Sequence, residues 1–288
     1  IYDICIVGSG AGASPIAHEL VKEGANVCIL EKGNLYSEKD FSKDELAFVR
    51  RDIFTPKLKD EYHTIEEYVN NTWHKFPTYE SGWSFWNGNI LGGSSNFMSG
   101  FFYRLKPNDF KLQSTYGNIN DANIVDWPIS YEELEPYYEK VERVVGVSGE
   151  VTPYEHQEPR STKNFPYKAL QEHPIVKLID SSCAKLNYIP IKTPRAIISE
   201  PKEGRSPCYY SNYCGSYTCS SGAKSSGRAS LLQPALKTGN ITIISNAQAY
   251  KLNTNKDKKI ESVSYFTKQK NKKVINSSKQ FFEIPVIK

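Results

Sequence analysis

Three glycines near the start of the chain, followed by an acidic residue, have the spacing of a dinucleotide site. Gly8, Gly10 and Gly12 stand in GSGAGAS, and Glu31 lies 21 residues beyond Gly10. A glycine at the first position permits a sharp turn, and one at the second removes the Cβ that would hold a pyrophosphate away from the backbone. An acid at this distance accepts hydrogen bonds from ribose hydroxyls. The pattern therefore predicts dinucleotide binding.

Three clustered cysteines are the second group that could do chemistry. Cys208, Cys214 and Cys219 have five and four residues between them. Thiolates on short irregular loops hold iron–sulfur clusters, a tetrahedral zinc site would be one ligand short, and a disulfide would leave one thiol over. The spacing matches none of the common ferredoxin patterns, so the residues alone leave these alternatives open. We interpret the remaining cysteines as small structural residues: Cys5, Cys28 and Cys183.

A second glycine-rich stretch lies between residues 83 and 110. Gly88, Gly92 and Gly93 flank an apolar dipeptide, and Ser94 and Ser95 follow. Such a loop can lie flat against a ligand, with backbone N–H groups and hydroxyls turned toward it. Taken alone, the stretch is more typical of a glycine-rich turn between core strands.

The first glycines lie within a complete βαβ unit. Ile4–Val7 is a short β-branched run typical of a buried parallel strand, Pro15–Lys22 has helical spacing, and Ala25–Leu30 forms a second strand that ends at Glu31. Ala13 occupies the third fingerprint position, where a small residue lets helix and strand pack closely. The sequence therefore predicts a Rossmann-like α/β fold with a parallel sheet.

Further elements follow from local patterns. Ser130 and Glu133 form a capping box at the start of a helix whose apolar side is expected to pack: Leu134, Tyr137, Tyr138, Val141 and Val144. The patterns predict helical pieces at Lys43–Arg51, Ile65–Asn71 and Arg228–Lys237, and strands at Asn240–Leu252, Ile260–Phe266 and Phe281–Ile287.

Composition excludes several function classes. Apolar content is 39% and charged content 24%, as in ordinary globular proteins. The net charge of +4 comes without a basic tract, so nucleic acid is not indicated as a partner. No apolar run approaches a membrane span, and no signal sequence precedes the first strand. We therefore expect a cytoplasmic location, with export or membrane association through a partner subunit as the alternative.

Three patches together resemble the glucose–methanol–choline (GMC) oxidoreductases, flavoenzymes that oxidise alcohols. They are GSGAGAS with Glu31, then GNILGGSSN, then DWPISYEELEPYYEKVERVVGVSG from Asp126 to Gly149. The resemblance runs in the same order from Tyr2 to about Leu252.

The resemblance implies that the dinucleotide is FAD. Gly8, Gly10 and Gly12 would then lie at the pyrophosphate and Glu31 on the adenosine ribose, with Asn246–Tyr250 near the adenine. The residues implied near the isoalloxazine ring are Gly92, Gly93, Ser94, Ser95 and Asn96. Some family members attach the flavin through a histidine just after the paired glycines. Here those positions are Asn96, Phe97 and Met98, so the flavin is expected to be held non-covalently.

The resemblance also bears on the cysteines. A subgroup of family dehydrogenases for glucose and similar sugars carries a three-iron, four-sulfide cluster on three cysteines at this place in the chain. The separation of Cys208 and Cys214 matches that subgroup, whereas the gap before Cys219 is one residue longer. A cluster on these three residues would pass electrons from the flavin to a cytochrome or a small partner subunit.

The expected organisation has three parts. Residues 1–150 would form the first part of the FAD-binding domain, 151–205 a substrate-side region, and 206–288 the cysteine loop with the return to the FAD-binding domain. The family's C-terminal substrate domain, with its catalytic histidine and a histidine or asparagine partner, has no counterpart in these residues. No catalytic residue is therefore assigned, and we expect these 288 residues alone not to turn over substrate.

The resulting hypothesis is an FAD-dependent dehydrogenase that oxidises an alcohol group of a sugar, polyol or sugar acid. A general base would take the hydroxyl proton while hydride passes to the flavin. The alternatives are an oxidase that uses oxygen and a non-catalytic FAD-binding fragment or subunit.

Overall fold

A computed structural model of the chain describes residues 2–42, 44, 64–77, 80, 88–267 and 272–282. The chain divides into two compact units. The first unit comprises Ile1–Ser99, Ser211–Ser220 and Ser226–Lys288, and the second comprises Gly100–Tyr210 and Ser221–Ser225. The chain therefore leaves the first unit and returns to it twice. The domain ranges expected from the sequence stay a prediction.

The bounds of the described elements are as follows. The strands are β1 (Tyr2–Val7), β2 (Val27–Leu30), β3 (Thr64–Val69), β4 (Thr72–Pro77), β5 (Ser148–Gly149), β6 (Tyr167–Lys168), β7 (Ile241–Ile244), β8 (Ala247–Thr254), β9 (Ile260–Thr267) and β10 (Lys272–Phe282). The α-helices are α1 (Ala13–Lys22), α2 (Leu112–Tyr116), α3 (Tyr131–Val145), α4 (Val176–Lys185) and α5 (Gln233–Leu236). Short 3-10 turns occupy Glu38–Asp40, Gly93–Phe97 and Pro107–Phe110, and a π-helical turn at Arg228–Leu232 leads into α5.

A six-stranded sheet is the centre of the first unit. Its strand order is β7-β2-β1-β10-β9-β8. The first four strands are parallel, and β9 and β8 continue the sheet in antiparallel pairing. The predicted Rossmann-like α/β fold with a parallel sheet is confirmed. The predicted βαβ unit is confirmed as β1, α1 and β2.

The core of the first unit forms between α1 and the parallel strands. Ala13, Ala17 and Val21 recur at helical spacing on α1 and pack against Ile6 and Ile29. The four residues of β2 are almost fully buried, because both faces of this strand are covered. This packing fixes the turn between β1 and α1, in which the three N-terminal glycines lie.

The stretch around Ile65–Asn71 is not helical. Thr64–Val69 and Thr72–Pro77 are the two strands of an antiparallel hairpin. Asn70 and Asn71 form its turn, with φ of +51° and +60°, the left-handed conformation that a two-residue hairpin turn of type I′ requires and that asparagine tolerates. The helical prediction is therefore wrong because turn chemistry decides this segment. The helical piece expected at Lys43–Arg51 lies almost entirely outside the described residues.

The predicted helix cap in the second unit is confirmed. Glu133 N donates to Ser130 Oγ at 3.2 Å, and Ser130 N donates to Glu133 Oε2 at 2.7 Å. Helix α3 starts at the next residue, Tyr131. Because both bonds join residues three positions apart, the signal is local and readable in the sequence.

The apolar side predicted for α3 is wrong in part, since Tyr137 is 65% exposed and Val141 is 41% exposed. Glu142 lies on the buried side of the helix. Its carboxylate accepts hydrogen bonds from Arg104 Nε, at 2.8 Å, and from Arg160. Two buried guanidinium groups need this carboxylate, because a charge removed from water must be paired. The buried side of the helix is therefore partly apolar and partly ionic.

Two of the later elements differ from the expected bounds. The single strand expected at Asn240–Leu252 is two strands, β7 and β8, because Asn246 between them has a φ of +53°. The helix expected at Arg228–Lys237 is present as the π-helical turn followed by α5, and β9 confirms the strand expected at Ile260–Phe266. The last predicted strand, Phe281–Ile287, shares Phe281 and Phe282 with β10, and its remaining residues lie outside the described ranges.

None of the helices that the structure describes is long and apolar enough to span a membrane.

Candidate functional site

The turn between β1 and α1 has the geometry that its glycines predict. Gly8 has a φ of +86°, and its N–H donates to the Leu30 carbonyl at 2.8 Å, which ties the turn to β2. A Cβ built on Gly10 would meet no atom within 4 Å, so the space in front of this residue is open. Gly12 is the N-cap of α1, and the first helical N–H groups face the same turn. A phosphate could therefore approach the backbone closely here.

Glu31 lies at the end of β2, beside this turn. Its side chain is buried, accepts the hydroxyl of Ser9, and accepts the N–H of Gly33 at 2.6 Å. Its backbone carbonyl accepts the N–H of Ala247 at 2.9 Å, at the start of β8. The carboxylate is thus fixed in position by two donors, and each oxygen keeps further capacity to accept from a ribose hydroxyl. The beginning of β8 therefore lies beside Glu31. The expected position of Asn246–Tyr250 near the adenine stays a prediction.

The second glycine-rich loop lies directly against the first. A Cβ on Gly93 would stand 3.1 Å from the Gly10 Cα, and the Gly92 N–H donates to Ser9 Oγ at 2.9 Å. Gly92 and Gly93 have φ of +87° and +57°, which glycine adopts without steric cost. The structure therefore brings together the two glycine clusters that the sequence analysis singled out, although more than 80 residues separate them.

The polar side chains of this loop stabilise the loop itself. Ser94 Oγ accepts the Gly88 N–H at 3.0 Å, and Ser95 Oγ donates to the Gly92 carbonyl at 2.6 Å. Asn96 is buried, and its Nδ2 donates to the carbonyls of Leu91 and Gly93, each at 2.9 Å. These contacts hold the backbone in a fixed shape, so the loop is preorganised for a ligand. The direct cofactor contacts expected for these three side chains stay predictions.

A third segment, Ser226–Arg228, completes the candidate site and was missed in the sequence analysis. The Gly227 N–H donates to Ser95 Oγ at 2.9 Å, and a Cβ on Gly227 would stand 2.4 Å from Ser14 Oγ. Arg228 is buried and reaches Asn96. The available signal was a glycine directly before a single arginine at the start of an otherwise apolar helix, RASLL. The site therefore consists of three segments that meet in the first unit.

The three clustered cysteines do not form a recognised metal centre. Cys214 and Cys219 belong to the first unit and Cys208 to the second, and all three are half-buried thiols. The chain around them is irregular, with positive φ at Tyr210 and Ser216. Among the described residues, however, no three His, Cys, Asp or Glu side chains are grouped as metal ligands. A cluster on these cysteines therefore stays a prediction from the family resemblance, and no chemical step is derived through one.

An FAD molecule, in contrast, fits the residues that are present. The open space at Gly10, the backbone N–H groups at the start of α1 and the fixed carboxylate of Glu31 match the pyrophosphate and ribose of a dinucleotide. The segment Gly92–Asn96 forms a rigid wall next to them. These residues would hold the cofactor, and FAD when bound supplies hydride acceptance.

Comparisons with known proteins show which family the chain resembles. The profile of the family described as GMC oxidoreductase matches residues 17–282. Paromamine 6'-oxidase of Streptomyces fradiae is 30% identical, over 92% of this chain and 43% of its own length. Fructose dehydrogenase large subunit of Gluconobacter japonicus is 29% identical, over 93% of this chain and 49% of its own length.

Solved structures show the same fold. Formate oxidase of Aspergillus oryzae RIB40, in a variant form, has a TM-score of 0.58 at 15% identity, over 98% of this chain and 45% of that one. Pyridoxine 4-oxidase of Mesorbium loti has a TM-score of 0.55 at 15% identity, over 98% of this chain and 49% of that one. The chain spans about half the length of the curated relatives it matches: 43% of paromamine 6'-oxidase and 49% of the fructose dehydrogenase large subunit. The family profile covers most of the chain, and the chain belongs to the GMC oxidoreductase family.

Proposed function

We propose that this chain is the FAD-binding part of an oxidoreductase that oxidises an alcohol group of a sugar, polyol or sugar acid. The observation that carries the proposal is the meeting of the two glycine clusters, with Gly93 packed on Gly10 and Gly92 bonded to Ser9. A glycine-rich turn between core strands would not need to lie on a dinucleotide fingerprint. Family membership and the relatives named for fructose and gluconate support the substrate class.

The role of this chain would be to bind and orient. The start of α1 would hold the pyrophosphate through N–H groups, and Glu31 would hold the ribose. The wall formed by Gly92–Asn96 would fix the flavin end and exclude water from one side, so that the reacting carbon meets the ring in one orientation. The bound flavin would accept hydride from the alcohol carbon while a general base takes the hydroxyl proton. No histidine of this chain is assigned that role.

The electron acceptor separates two versions of the proposal. Relatives named as dehydrogenases and relatives named as oxidases both match this chain at similar identity. We favour a dehydrogenase with a three-iron, four-sulfide cluster on Cys208, Cys214 and Cys219, and the support for it is the resemblance of this cysteine stretch to that of the sugar dehydrogenase subgroup. Iron and sulfide analysis of anaerobically purified protein, with electron paramagnetic resonance of the oxidised form, tests the cluster. Absence of iron together with rapid reoxidation of the flavin by oxygen would show an oxidase instead.

The central experiment measures flavin directly. The purified protein should carry flavin absorbance, and flavin-free protein should take up one FAD per chain in a fluorescence titration. Anaerobic addition of fructose or gluconate tests turnover, and bleaching would show that these 288 residues oxidise an alcohol by themselves, against our expectation. Stoichiometric FAD binding without bleaching agrees both with the FAD-binding part of an enzyme and with a non-catalytic FAD-binding subunit, and no FAD binding would refute the proposed function.

A further inference from the structure

Arg228 joins the segment Ser226–Arg228 to the second glycine-rich loop, Gly88–Asn96, here called the flavin-side loop, and its role goes beyond the proposed function on which it rests. Its side chain is 3% exposed, and its backbone is in direct contact with Gly92. We propose that Arg228 is a positioning residue of the FAD site: it holds Gly92–Asn96 against the dinucleotide fingerprint through Asn96. Arg228 and the residues that it contacts all lie within the first unit.

The backbone contact defines how closely Arg228 approaches the loop. A Cβ on Gly92 would lie 2.7 Å from both the N and the Cβ of Arg228, so only glycine fits there. The neighbouring Gly227 N–H donates to Ser95 Oγ, which in turn donates to the Gly92 carbonyl. Arg228 therefore lies against the loop at the residue whose N–H is bonded to Ser9.

The side chain continues the connection. Arg228 Nε donates to Asn96 Oδ1 at 3.4 Å, while Asn96 Nδ2 donates to the Leu91 and Gly93 carbonyls. An asparagine amide has one accepting and one donating end, so a donor at Oδ1 selects the orientation in which Nδ2 faces the loop carbonyls. Arg228 thus favours the one amide orientation that closes the loop.

The guanidinium is itself fixed from its other side. Its NH1 group donates to Glu38 Oε1 at 2.9 Å, and Gln233 Nε2 donates to the same oxygen at 3.0 Å. The central carbon of the guanidinium lies 4.8 Å from the ring centre of Phe41, a buried residue that packs with Ile90. Lysine cannot reproduce this arrangement, because a single ammonium cannot stack on the ring and serve Glu38 and Asn96 in a fixed fork.

The test compares FAD affinity and loop protection in matched variants. Arg228→Gln and Arg228→Lys are compared with Arg143→Gln, a change at an arginine whose side chain is 66% exposed and pairs with its helix neighbour Glu139. Fluorescence titration of flavin-free protein gives the Kd for FAD, and hydrogen exchange gives the protection of the Gly92–Asn96 amides. Thermal unfolding shows whether each variant folds.

We expect Arg228→Gln to raise the Kd for FAD about tenfold or more, since hydrogen bonds to a charged group are lost. Its loop amides should exchange faster, while those of β1 and β2 keep their protection. Arg228→Lys should have a Kd and a loop exchange rate between those of the parent and Arg228→Gln, and Arg143→Gln should have the same values as the parent. If Arg228→Gln does not fold, Glu38→Gln supplies the second variant, with a smaller change in the same direction.

The outcomes separate this inference from the proposed function. Unchanged Kd and unchanged loop exchange in Arg228→Gln would overturn the positioning role while the parent still binds FAD. A uniform loss of protection across β1, β2 and the loop would also overturn it, because Arg228 would then stabilise the fold in general. A parent protein that binds no FAD would refute the proposed function, and the exchange measurement would still show whether Arg228 holds the loop.

Discussion

Ser9 Oγ accepts the backbone N–H of Gly92 at 2.9 Å, and the same hydroxyl donates to the buried carboxylate of Glu31. Ser9 is fully buried between these partners. One hydroxyl therefore connects β1, the acid at the end of β2, and the flavin-side loop. The middle residue of the first GxG, which the fingerprint leaves unspecified, holds two parts of the site together.

Replacing Ser9 should weaken both connections at once. Ser9→Ala leaves the Glu31 carboxylate without one donor and the Gly92 N–H without its acceptor, which should cost about 1 to 3 kcal/mol of unfolding free energy. Denaturant unfolding measures that loss, and the FAD titration should show weaker binding. Ser182→Ala is the control, because Ser182 Oγ donates to the Leu178 carbonyl on an exposed helix. Equal stability of the two variants would contradict the role given to Ser9.

Gly10→Val should remove FAD binding without unfolding the protein. The new side chain would point into open space, because nothing lies within 4 Å of an ideal Cβ and the residue is not in the left-handed region. The flavin-free variant should therefore unfold within about 0.5 kcal/mol of the parent. The same side chain would occupy the space needed by the pyrophosphate. A variant that retains full flavin would rule out the assignment of this turn.

Gly33→Ala, unlike Gly10→Val, should destabilise the folded protein. A Cβ there would stand 2.0 Å from the carbonyl carbon of Asn89, which no local adjustment of a side chain can relieve. The flavin-side loop and the end of β2 would have to move apart, at a cost of about 1 to 3 kcal/mol. Thermal unfolding of the flavin-free protein provides the comparison with Gly10→Val. Two equally stable variants would mean that the loop does not dock on Gly33 in solution.

The ion pair between Glu38 and Arg228 should make the site sensitive to acid. Burial by itself raises the pKa of Glu38, but hydrogen bonds from Gln233 and Arg228 and the charge of Arg228 outweigh it and hold the pKa below its ordinary 4.5. The stabilisation from ionised Glu38 is therefore complete above that ordinary value and is lost as pH falls through the lower folded pKa. The difference in unfolding free energy between the parent and Glu38→Gln should shrink as pH is lowered from about 6 to about 3. A difference that stays constant would contradict the coupling.

The flavin should leave the protein on denaturation. Asn96, Phe97 and Met98 follow the paired glycines, and none of them offers the ring nitrogen of a histidine for a covalent bond. Acid precipitation should therefore release all flavin into the supernatant. Fluorescence that stays on the denatured band in gel electrophoresis would disprove non-covalent binding.

The βαβ unit and its glycine fingerprint could be predicted from the sequence, because both depend on neighbours a few residues apart. The same holds for the Ser130–Glu133 cap, whose two hydrogen bonds join positions i and i+3. The hairpin at Thr64–Pro77 shows where local inference fails: its apolar spacing suits a helix, while the two asparagines at its turn select a type I′ geometry.

Local patterns could not show which polar side chains of the site serve the fold. Asn96 and Arg228 are 132 residues apart in the chain, yet the amide orientation of one depends on the other. Ser94 and Ser95, expected as flavin contacts, bond to the loop backbone. A glycine-serine stretch has the same composition whether its hydroxyls face a ligand or its own carbonyls.

The sequence by itself determined the fold class and the dinucleotide fingerprint, since periodicity and residue spacing along one βαβ length are sufficient for both, and its three patches together indicated the family. Only the tertiary structure decided that Ser9 links Glu31 to Gly92 and that Ser226–Arg228 forms the third segment of the candidate site. Those contacts join segments distant in the chain, and they form only because the parallel sheet brings the ends of β1 and β2 to the same edge.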